Sequence, residues 1–285
     1  MFHNTLLSGK RILITGGGSG LGAAMAARFA ELGAALVLVG RRTRPLEETA
    51  AAIRARCGSD VATAICDIRD ADAVEAMMAD TWSAAPPDVL VNNAAASFIA
   101  QTEHLSARAA DAILGPTLHG ALYCTLALGR RWIEARRPGT VLSILSTSTI
   151  TGRPYTVPSA MAKSGVLAMT RSLAVEWGPK GVRLVAIAPG PFPTVGAWSQ
   201  LRPDAAGRTG YEESNPLGRV GRHEELSNLA SYLISDGASY INGEMVTIDG
   251  GMHLRTSGAE DLLRLNDAQW AQMRAQRKPG GTGKA

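Results

Sequence analysis

The chain has 285 residues, of which 46% are hydrophobic and 19% are charged; these proportions are typical of a soluble globular protein and exclude a disordered body. The net charge of +4 is spread over 29 basic and 25 acidic residues without a long basic run, which argues against nucleic-acid binding. Cys57, Cys66 and Cys124 lie far apart with no CxxC pair, so we expect buried free thiols and neither a disulfide framework nor a metal site.

The first residues, MFHNTLLSGKRILITG, lack the plan of a signal peptide and reach a strand within about ten residues. No apolar run approaches the ~18 residues that a membrane span needs. The expected protein is therefore cytoplasmic and does not enter a membrane.

Short apolar runs alternate with alanine-rich helical stretches along the chain, which is typical of βαβ units and a parallel sheet. Runs such as AALVLV are nearly continuous, as in strands covered by helices on both faces. We predict a single-domain, Rossmann-type, doubly wound sheet flanked by helices in residues 1–255, followed by a C-terminal extension, 256–285, with a flexible end. The seven predicted strands cover 11–15, 35–39, 61–65, 89–92, 140–145, 182–187 and 244–248.

Two further stretches interrupt or extend this rhythm. Residues 107–134 read as one long helix, and the proline- and glycine-rich stretch 189–216 reads as a long excursion that covers the site as a lid.

A glycine-rich turn, TGGGSGLG, follows the first strand directly and precedes a helical run. In this context Gly16 allows a sharp turn, Gly20 lets main-chain amides approach a pyrophosphate, and Gly22 lets the helix pack closely on the strand. The motif therefore predicts a dinucleotide site at the start of the first helix.

The second strand ends in Val39-Gly40-Arg41-Arg42. A carboxylate at this point binds the ribose 2′-OH of NAD and repels a 2′-phosphate. Here a glycine and two guanidiniums stand instead, and planar guanidiniums bind phosphate through paired hydrogen bonds. We expect NADP(H); the alternative is that one arginine only caps the loop in water.

The TGxxxGxG spacing resembles the short-chain dehydrogenase/reductase family, as do NNAA at 92–95, APG at 188–190 and DGG at 249–251. These four motifs occur in the family's order over nearly the whole chain. The resemblance implies that Asp67 contacts the adenine amino group. The implied cofactor-binding residues are Gly16, Gly18, Ser19, Gly20, Leu21, Gly22, Arg41, Arg42, Asp67, Ile68, Asn93, Ala94, Ala95, Lys163, Pro189, Gly190, Phe192 and Thr194.

The family's catalytic set is only partly present. Lys163 occupies the lysine position, but Ser159 stands where most members carry the proton-donating tyrosine, and Thr117 replaces the asparagine that supports a water relay. Ser146 holds the usual serine position. A serine hydroxyl is a far weaker acid than a phenol, which disfavours simple ketone reduction; Tyr155 precedes the helix and is at best a substrate contact.

This departure resembles the mitochondrial-type 2,4-dienoyl-CoA reductases, which carry serine at the tyrosine position and keep the lysine. The stretches VPSAMAKSGVLAMTRSLAVEWGPKGVR and SYINGEMVTIDGG also look like that subgroup. The resemblance implies hydride transfer from NADPH to the δ-carbon of a dienoyl thioester and protonation of the resulting dienolate. It further implies that Lys163 binds the nicotinamide ribose and that Ser159 joins the Lys163 network or delivers a proton through water.

The thioester-binding asparagine and tyrosine of that subgroup are replaced by Ser97 and Ser148. Each hydroxyl donates one hydrogen bond, but each side chain is short, so the substrate remains open between a dienoyl thioester and another conjugated or carbonyl compound. The residues predicted to be catalytic are Lys163, Ser159, Ser146, Ser148 and Ser97. A third hypothesis is a nucleotide-binding protein without catalysis.

Other side chains carry weaker expectations. Four arginines within or after the proline-rich excursion either meet the phosphates of an acyl-CoA or are simply solvated: Arg202, Arg208, Arg219 and Arg222. We expect His119 to serve packing or an interface, and Met161 and Met169 to lie in the core. The resemblance implies a homotetramer.

Overall fold

The computed structural model describes residues 2–194, 210–255 and 260–276. Seven strands form one parallel sheet, as predicted. Their order in the sheet is β3-β2-β1-β4-β5-β6-β7. Their bounds depart from the expected ones by two residues at most. The strands are β1 (Arg11–Thr15), β2 (Ala35–Gly40), β3 (Val61–Ile65), β4 (Val89–Asn92), β5 (Gly139–Ile144), β6 (Val182–Pro189) and β7 (Met245–Ile248).

Helices cover both faces of the sheet. Successive residues of β1 face opposite sides, so Ile12 and Ile14 join one apolar core and Leu13 joins the other. Because both faces are buried, the strands are apolar at nearly every position. The helices are α1 (Gly20–Glu31), α2 (Thr43–Cys57), α3 (Ala71–Ala84), α4 (Ala107–Leu114), α5 (Gly120–Glu134), α6 (Ser148–Thr151), α7 (Val157–Trp177), α8 (Tyr211–Ser214), α9 (His223–Ile234) and α10 (Asp267–Gln276).

The long helix predicted over 107–134 is present, but it contains a π turn at Gly115–His119 between α4 and α5. Pro116 has no N–H to donate, and the wider turn accommodates the missing bond. Contrary to the sequence expectation, Ala107–Glu134 is long and apolar enough to cross a membrane, with a mean hydropathy of 1.3 over 18 residues. Half of that window is buried, and its buried side chains pack against the sheet, as in a core helix.

The strand order reverses at β1. The chain runs from β1 outward to β2 and β3, then returns to β4 on the other side of β1. The loops after β1 and β4 therefore diverge and leave a crevice at the carboxyl ends of the strands, where open α/β sheets bind their ligands.

The excursion predicted over 189–216 is described only at its two ends, because 195–209 lie outside the described residues. Of the extension predicted over 256–285, the structure describes 260–276, which hold a short 3₁₀ segment and α10. The domain bounds stay a prediction.

Candidate active site

The loop between β1 and α1 has the geometry of an anion-binding turn. Gly16 and Gly20 have positive φ angles of 68° and 53°, which favour glycine. A Cβ at Gly22 would lie 2.3 Å from the main-chain oxygen of Gly16, so helix and loop pack without room for a side chain. Ser19, at the N-cap of α1, is exposed and makes no capping hydrogen bond. The loop thus presents a free helix N-terminus to the crevice and fits a pyrophosphate.

Asn93 ties the end of β4 to this loop. Its side-chain amide donates to the main-chain oxygens of Thr15 (3.0 Å) and Gly16 (3.3 Å). The Thr15 hydroxyl in turn accepts from the amides of Asn93 and Ala94, both at 3.1 Å. The two edges of the crevice are therefore fixed relative to each other. The sequence showed Thr15 only as the start of the motif, because its bonding partners are more than 70 residues away.

Arg41 and Arg42 lie exposed at the end of β2 and form no ion pair with another described residue. The nearby Arg44 is paired with Glu48 at 2.7 Å. Two guanidinium groups lie at the mouth of the crevice, and position 40 holds a glycine in place of the carboxylate that would repel a phosphate. This arrangement fits a phosphate on the adenosine ribose. The cationic site predicted from the sequence is thus available to a ligand.

Asp67 follows β3 and is held by Arg69. The Arg69 guanidinium donates to both carboxylate oxygens, with Nε–Oδ1 at 2.9 Å and Nη2–Oδ2 at 2.5 Å. The side-chain hydrogen bond from Arg69 is the largest effect and lowers the pKa of Asp67. Burial opposes it, and the main-chain hydrogen bond of Arg69, the charge of Arg69 and the charge of Arg41 each lower the pKa by less. Next to it, Ile68 is buried, and a Cβ at Gly120 would meet its side chain at 2.6 Å. This packing sets the position of the Asp67 carboxylate.

The segment after β6 crosses toward the glycine loop. Phe192 is buried, and a Cβ at Gly20 would lie 3.4 Å from the Thr194 methyl group. Gly190 has no room for a side chain, because its Cβ would meet Asp249 at 2.5 Å. The structure therefore brings Thr194, predicted to bind the cofactor, into contact distance of the loop predicted to bind the pyrophosphate.

Lys163 extends from α7 to the carboxyl end of β5. Its Nζ donates to the main-chain oxygen of Ile144, and the residue is 8% exposed. Burial lowers the pKa of the ammonium group from 10.5 to about 8, so it is largely protonated at pH 7. The sequence predicted the position of Lys163 but not the burial of its side chain.

Three serines surround the end of β5 and the start of α7. The Ser146 hydroxyl accepts from the main-chain amide of Ser148 at 3.3 Å, and Ser148 is buried at the first residue of α6. Ser159 lies four residues before Lys163, on the same face of α7. Within the described residues no hydrogen bond joins Ser159 to Lys163, so the link predicted from the sequence is absent from this arrangement.

Ser97 lies on the segment after β4, which Thr117 holds in place. The Thr117 hydroxyl accepts from the amide of Ala96 at 3.1 Å and donates to its carbonyl at 3.4 Å. Further along, the Ala100 amide donates to the Tyr155 carbonyl at 3.0 Å. The loops that carry Ser97 and Ser148 are therefore joined. Thr117 was noted in the sequence only as a substitution, and its anchoring role depends on the π turn.

Comparison with known proteins identifies this arrangement. Residues 16–253 match the family model described as enoyl-(acyl carrier protein) reductase. A probable 2,4-dienoyl-CoA reductase of Caenorhabditis elegans, named as (3E)-enoyl-CoA-producing, is 41% identical over 86% of this chain and 81% of its own. A probable 2,4-dienoyl-CoA reductase of Bacillus subtilis, named as (2E)-enoyl-CoA-producing, is 41% identical over 86% and 97%.

Among solved structures, a putative 2-deoxy-D-gluconate 3-dehydrogenase of Agrobacterium tumefaciens with bound NADP is 33% identical, with a TM-score of 0.81 over 89% of this chain and 100% of its own. The chain belongs to the short-chain dehydrogenase/reductase family. The resemblance seen in the sequence is confirmed, with dienoyl-CoA reductases among the similar relatives.

One secondary expectation for this short-chain dehydrogenase/reductase is wrong, and another stays a prediction. Arg219 and Arg222 lie at the surface and both contact Glu225, Arg219 through two bonds of 2.9 and 2.7 Å, so the choice between phosphate contact and solvation stays open. Met161 is 59% exposed rather than in the core, because it lies on the outer face of α7. Arg202 and Arg208 lie outside the described residues.

Other expectations hold in part. His119 is exposed and stacks on Tyr123 at 6.1 Å between ring centroids. All three cysteines are free, although Cys57 is only partly buried. Met169 is partly buried against a third apolar cluster.

Proposed function

We propose that the protein is an NADPH-dependent reductase of a conjugated enoyl or dienoyl thioester, similar to a 2,4-dienoyl-CoA reductase. The observation that carries the proposal is Ser159 in the position of the family's proton donor, beside a retained and buried Lys163. The two relatives named as dienoyl-CoA reductases support it. Ketone reduction needs an acid at the carbonyl oxygen next to the hydride acceptor, and a serine hydroxyl is a poor one.

The site residues fit NADP(H) as the cofactor. The amides at the N-terminus of α1 would hold the pyrophosphate, and Arg41 and Arg42 would hold the 2′-phosphate. The relative with bound NADP supports this choice. When bound, the cofactor supplies a hydride, and the protein supplies orientation and charge.

Lys163 would serve the reaction as a fixed positive charge. Reduction of a conjugated thioester places negative charge on the thioester oxygen, remote from the carbon that accepts hydride. A buried ammonium group stabilises such charge more strongly than an exposed one, because little water screens it. Its bond to Ile144 fixes the direction of the side chain.

Ser97, Ser146 and Ser148 would supply neutral donors around that oxygen. Ser148 is buried and its main-chain amide is already bonded to Ser146, so its own hydroxyl is held close to the end of β5. Ser97 is held through the Thr117–Ala96 bonds. Because serine side chains are short, the thioester oxygen would have to lie deeper in the site or be reached through a bridging water. Ser159 would relay the proton that completes the reduction.

The proposal also covers the substrate class, the assembly and the compartment. The substrate would be an acyl-CoA, since both relatives are named for enoyl-CoA products. By resemblance to the family, we propose a homotetramer acting in the cytoplasm; light scattering of the purified chain tests the assembly.

The test is turnover. The purified protein is mixed with NADPH and 2,4-dienoyl-CoA esters of several chain lengths, and absorbance at the nicotinamide band is followed. We expect cofactor oxidation with at least one ester, and a product whose double-bond position is read by nuclear magnetic resonance. Lys163→Met, which keeps the glycine loop and arginines, serves as the inactive control. No turnover at any chain length overturns the proposal.

A second candidate is a reductase of another conjugated or carbonyl compound, with Ser97, Ser148 and Ser159 shaping a different pocket. The solved structure named as a putative 2-deoxy-D-gluconate 3-dehydrogenase favours it. It predicts activity on non-thioester carbonyls with none on acyl-CoA esters. A third candidate, a nucleotide-binding protein without catalysis, predicts tight NADPH binding and no oxidation of any substrate; retention of Lys163 argues against it.

A further inference from the structure

The ends of β2 and β3 bring a carboxylate beside the cationic site. Gly40 pairs with Ile65, and the amide of Cys66 donates to the carbonyl of Gly40 at 3.0 Å. Arg41 and Asp67 therefore each follow closely on two directly paired strand ends. The charge of Arg41 acts on the Asp67 carboxylate, contributing after Arg69 to the lowered pKa of that group.

Arg41 and Arg69 can both compete for the carboxylate of Asp67. An arginine and a carboxylate that lie close together can form a charge-assisted, often bidentate hydrogen-bonded pair. Arg41 forms no ion pair within the described residues, whereas both oxygens of Asp67 accept from Arg69, whose main-chain amide also donates to Oδ1 at 3.1 Å. Asp67 is thus occupied by a residue two positions along its own loop.

Arg69 is itself fixed from the other side. A Cβ at Gly115 would lie 3.3 Å from the Cδ of Arg69, so the aliphatic part of the side chain rests on the π turn at Gly115–His119. Asp70, Asp111 and His119 line the same groove as Asp67 and Arg69, but among the described residues none of these three is ion-paired to Arg69. The guanidinium therefore points back to Asp67.

We propose that Arg69 is a cofactor-selectivity residue: by neutralising Asp67, it keeps Arg41 free for the 2′-phosphate of NADP(H). The proposal rests on the proposed function only in placing that phosphate at Arg41 and Arg42. Without Arg69, Asp67 would draw Arg41 away and add a negative charge close to the phosphate. The affinity for NADP(H) would therefore fall, whereas the affinity for NAD(H), which lacks the phosphate, would not.

The experiment measures dissociation constants of NADP⁺ and NAD⁺ by quenching of tryptophan fluorescence, with no substrate present. The proteins are the wild type, Arg69→Gln, Asp67→Asn and the double variant. For Arg69→Gln we expect about three- to fivefold weaker NADP⁺ binding, the size of an exposed ion pair, and unchanged NAD⁺ binding. In the double variant the NADP⁺ to NAD⁺ preference returns to the wild-type value.

Two controls make the result decisive. In Asp67→Asn alone the preference stays at or above that of the wild type, because the competing charge is gone. The effect of Arg69→Gln shrinks as salt is added, since both groups are partly exposed. Thermal unfolding checks that all four proteins are folded; if Arg69→Gln is not, Arg69→Met takes its place.

Three outcomes overturn the inference. Equal weakening of NADP⁺ and NAD⁺ would show that Arg69 serves the adenosine alone. A double variant as weak as Arg69→Gln would show that Arg69 itself binds the phosphate. A wild type without preference for NADP⁺ would remove the phosphate site. Failure on dienoyl-CoA turnover leaves all of these binding results unaffected, so the two proposals fail separately.

Discussion

Replacing Lys163 by methionine removes a buried charge, and we predict that it stabilises the folded protein while it abolishes activity. Burial moves the pKa of the ammonium group from 10.5 to about 8, which corresponds to about 3 kcal/mol of unfavourable free energy at pH 7. The hydrogen bond to Ile144 is lost in the variant, and an unsatisfied buried carbonyl costs about 1–2 kcal/mol. The expected net gain is about 1–2 kcal/mol.

The pH dependence separates this explanation from a general packing effect. Below pH 8 the lysine is charged in both the folded and unfolded chain, so the wild type bears the whole burial penalty. Between pH 8 and 10.5 the folded chain loses its proton first, and the penalty disappears as pH rises. The advantage of Lys163→Met is therefore present at pH 7 and lost by about pH 10.

Urea unfolding of the cofactor-free wild type and Lys163→Met at both pH values measures this advantage. Comparing the two proteins at each pH cancels the titration of all other groups, provided that both unfold in one step. An advantage that is the same at pH 7 and pH 10, or a wild type that is the more stable at pH 7, would refute the reasoning.

The remaining predictions concern the proton donor, the anchored loop and the glycine turn. Ser159→Tyr restores a phenol on the Lys163 face of α7, and we expect measurable ketone reduction with NADPH where the wild type has none. Thr117→Val removes both hydrogen bonds to Ala96 and should lower kcat/KM about tenfold, the equivalent of ~1.4 kcal/mol. Thr117→Ser retains the hydroxyl and should keep the wild-type kcat/KM. Gly22→Ala forces a Cβ to within 2.3 Å of a main-chain oxygen, so NADP⁺ titration should show no binding. Gly237→Ala is the control, because its Cβ would make only an ordinary contact, 3.4 Å from the Ser235 hydroxyl oxygen, and it should bind NADP⁺ normally.

The fold could be predicted from the sequence because its signals are local. Each strand is a short apolar run bounded by turns, and the glycine turn stands directly after β1. β5 was expected one residue late, at 140–145, whereas Gly139 already pairs with Val182. The π turn escaped prediction, since the periodicity of a long apolar helix is preserved on both sides of Pro116.

The candidate site could be predicted only as a set of positions. The sequence indicated Lys163 and the serines by their spacing. The burial of Lys163 could not be predicted in this way, because it depends on the whole of α7 packing on β5 and β6. The pairing of Arg219 with Glu225 and of Arg69 with Asp67 was not foreseen, because charge partners depend on loop conformation. Thr117 gained a role only when its hydroxyl was seen on Ala96.

The most direct test of the central claim is single-turnover reaction of the protein with NADPH and a 2,4-dienoyl-CoA, followed by the position of deuterium in the product. NADPH carrying deuterium at the transferred position should place the label on the δ-carbon of the acyl chain, and a parallel reaction with a saturated ketone should yield no labelled alcohol. Deuterium on the carbinol carbon of an alcohol formed from the ketone, with the dienoyl-CoA left unchanged, would contradict the account.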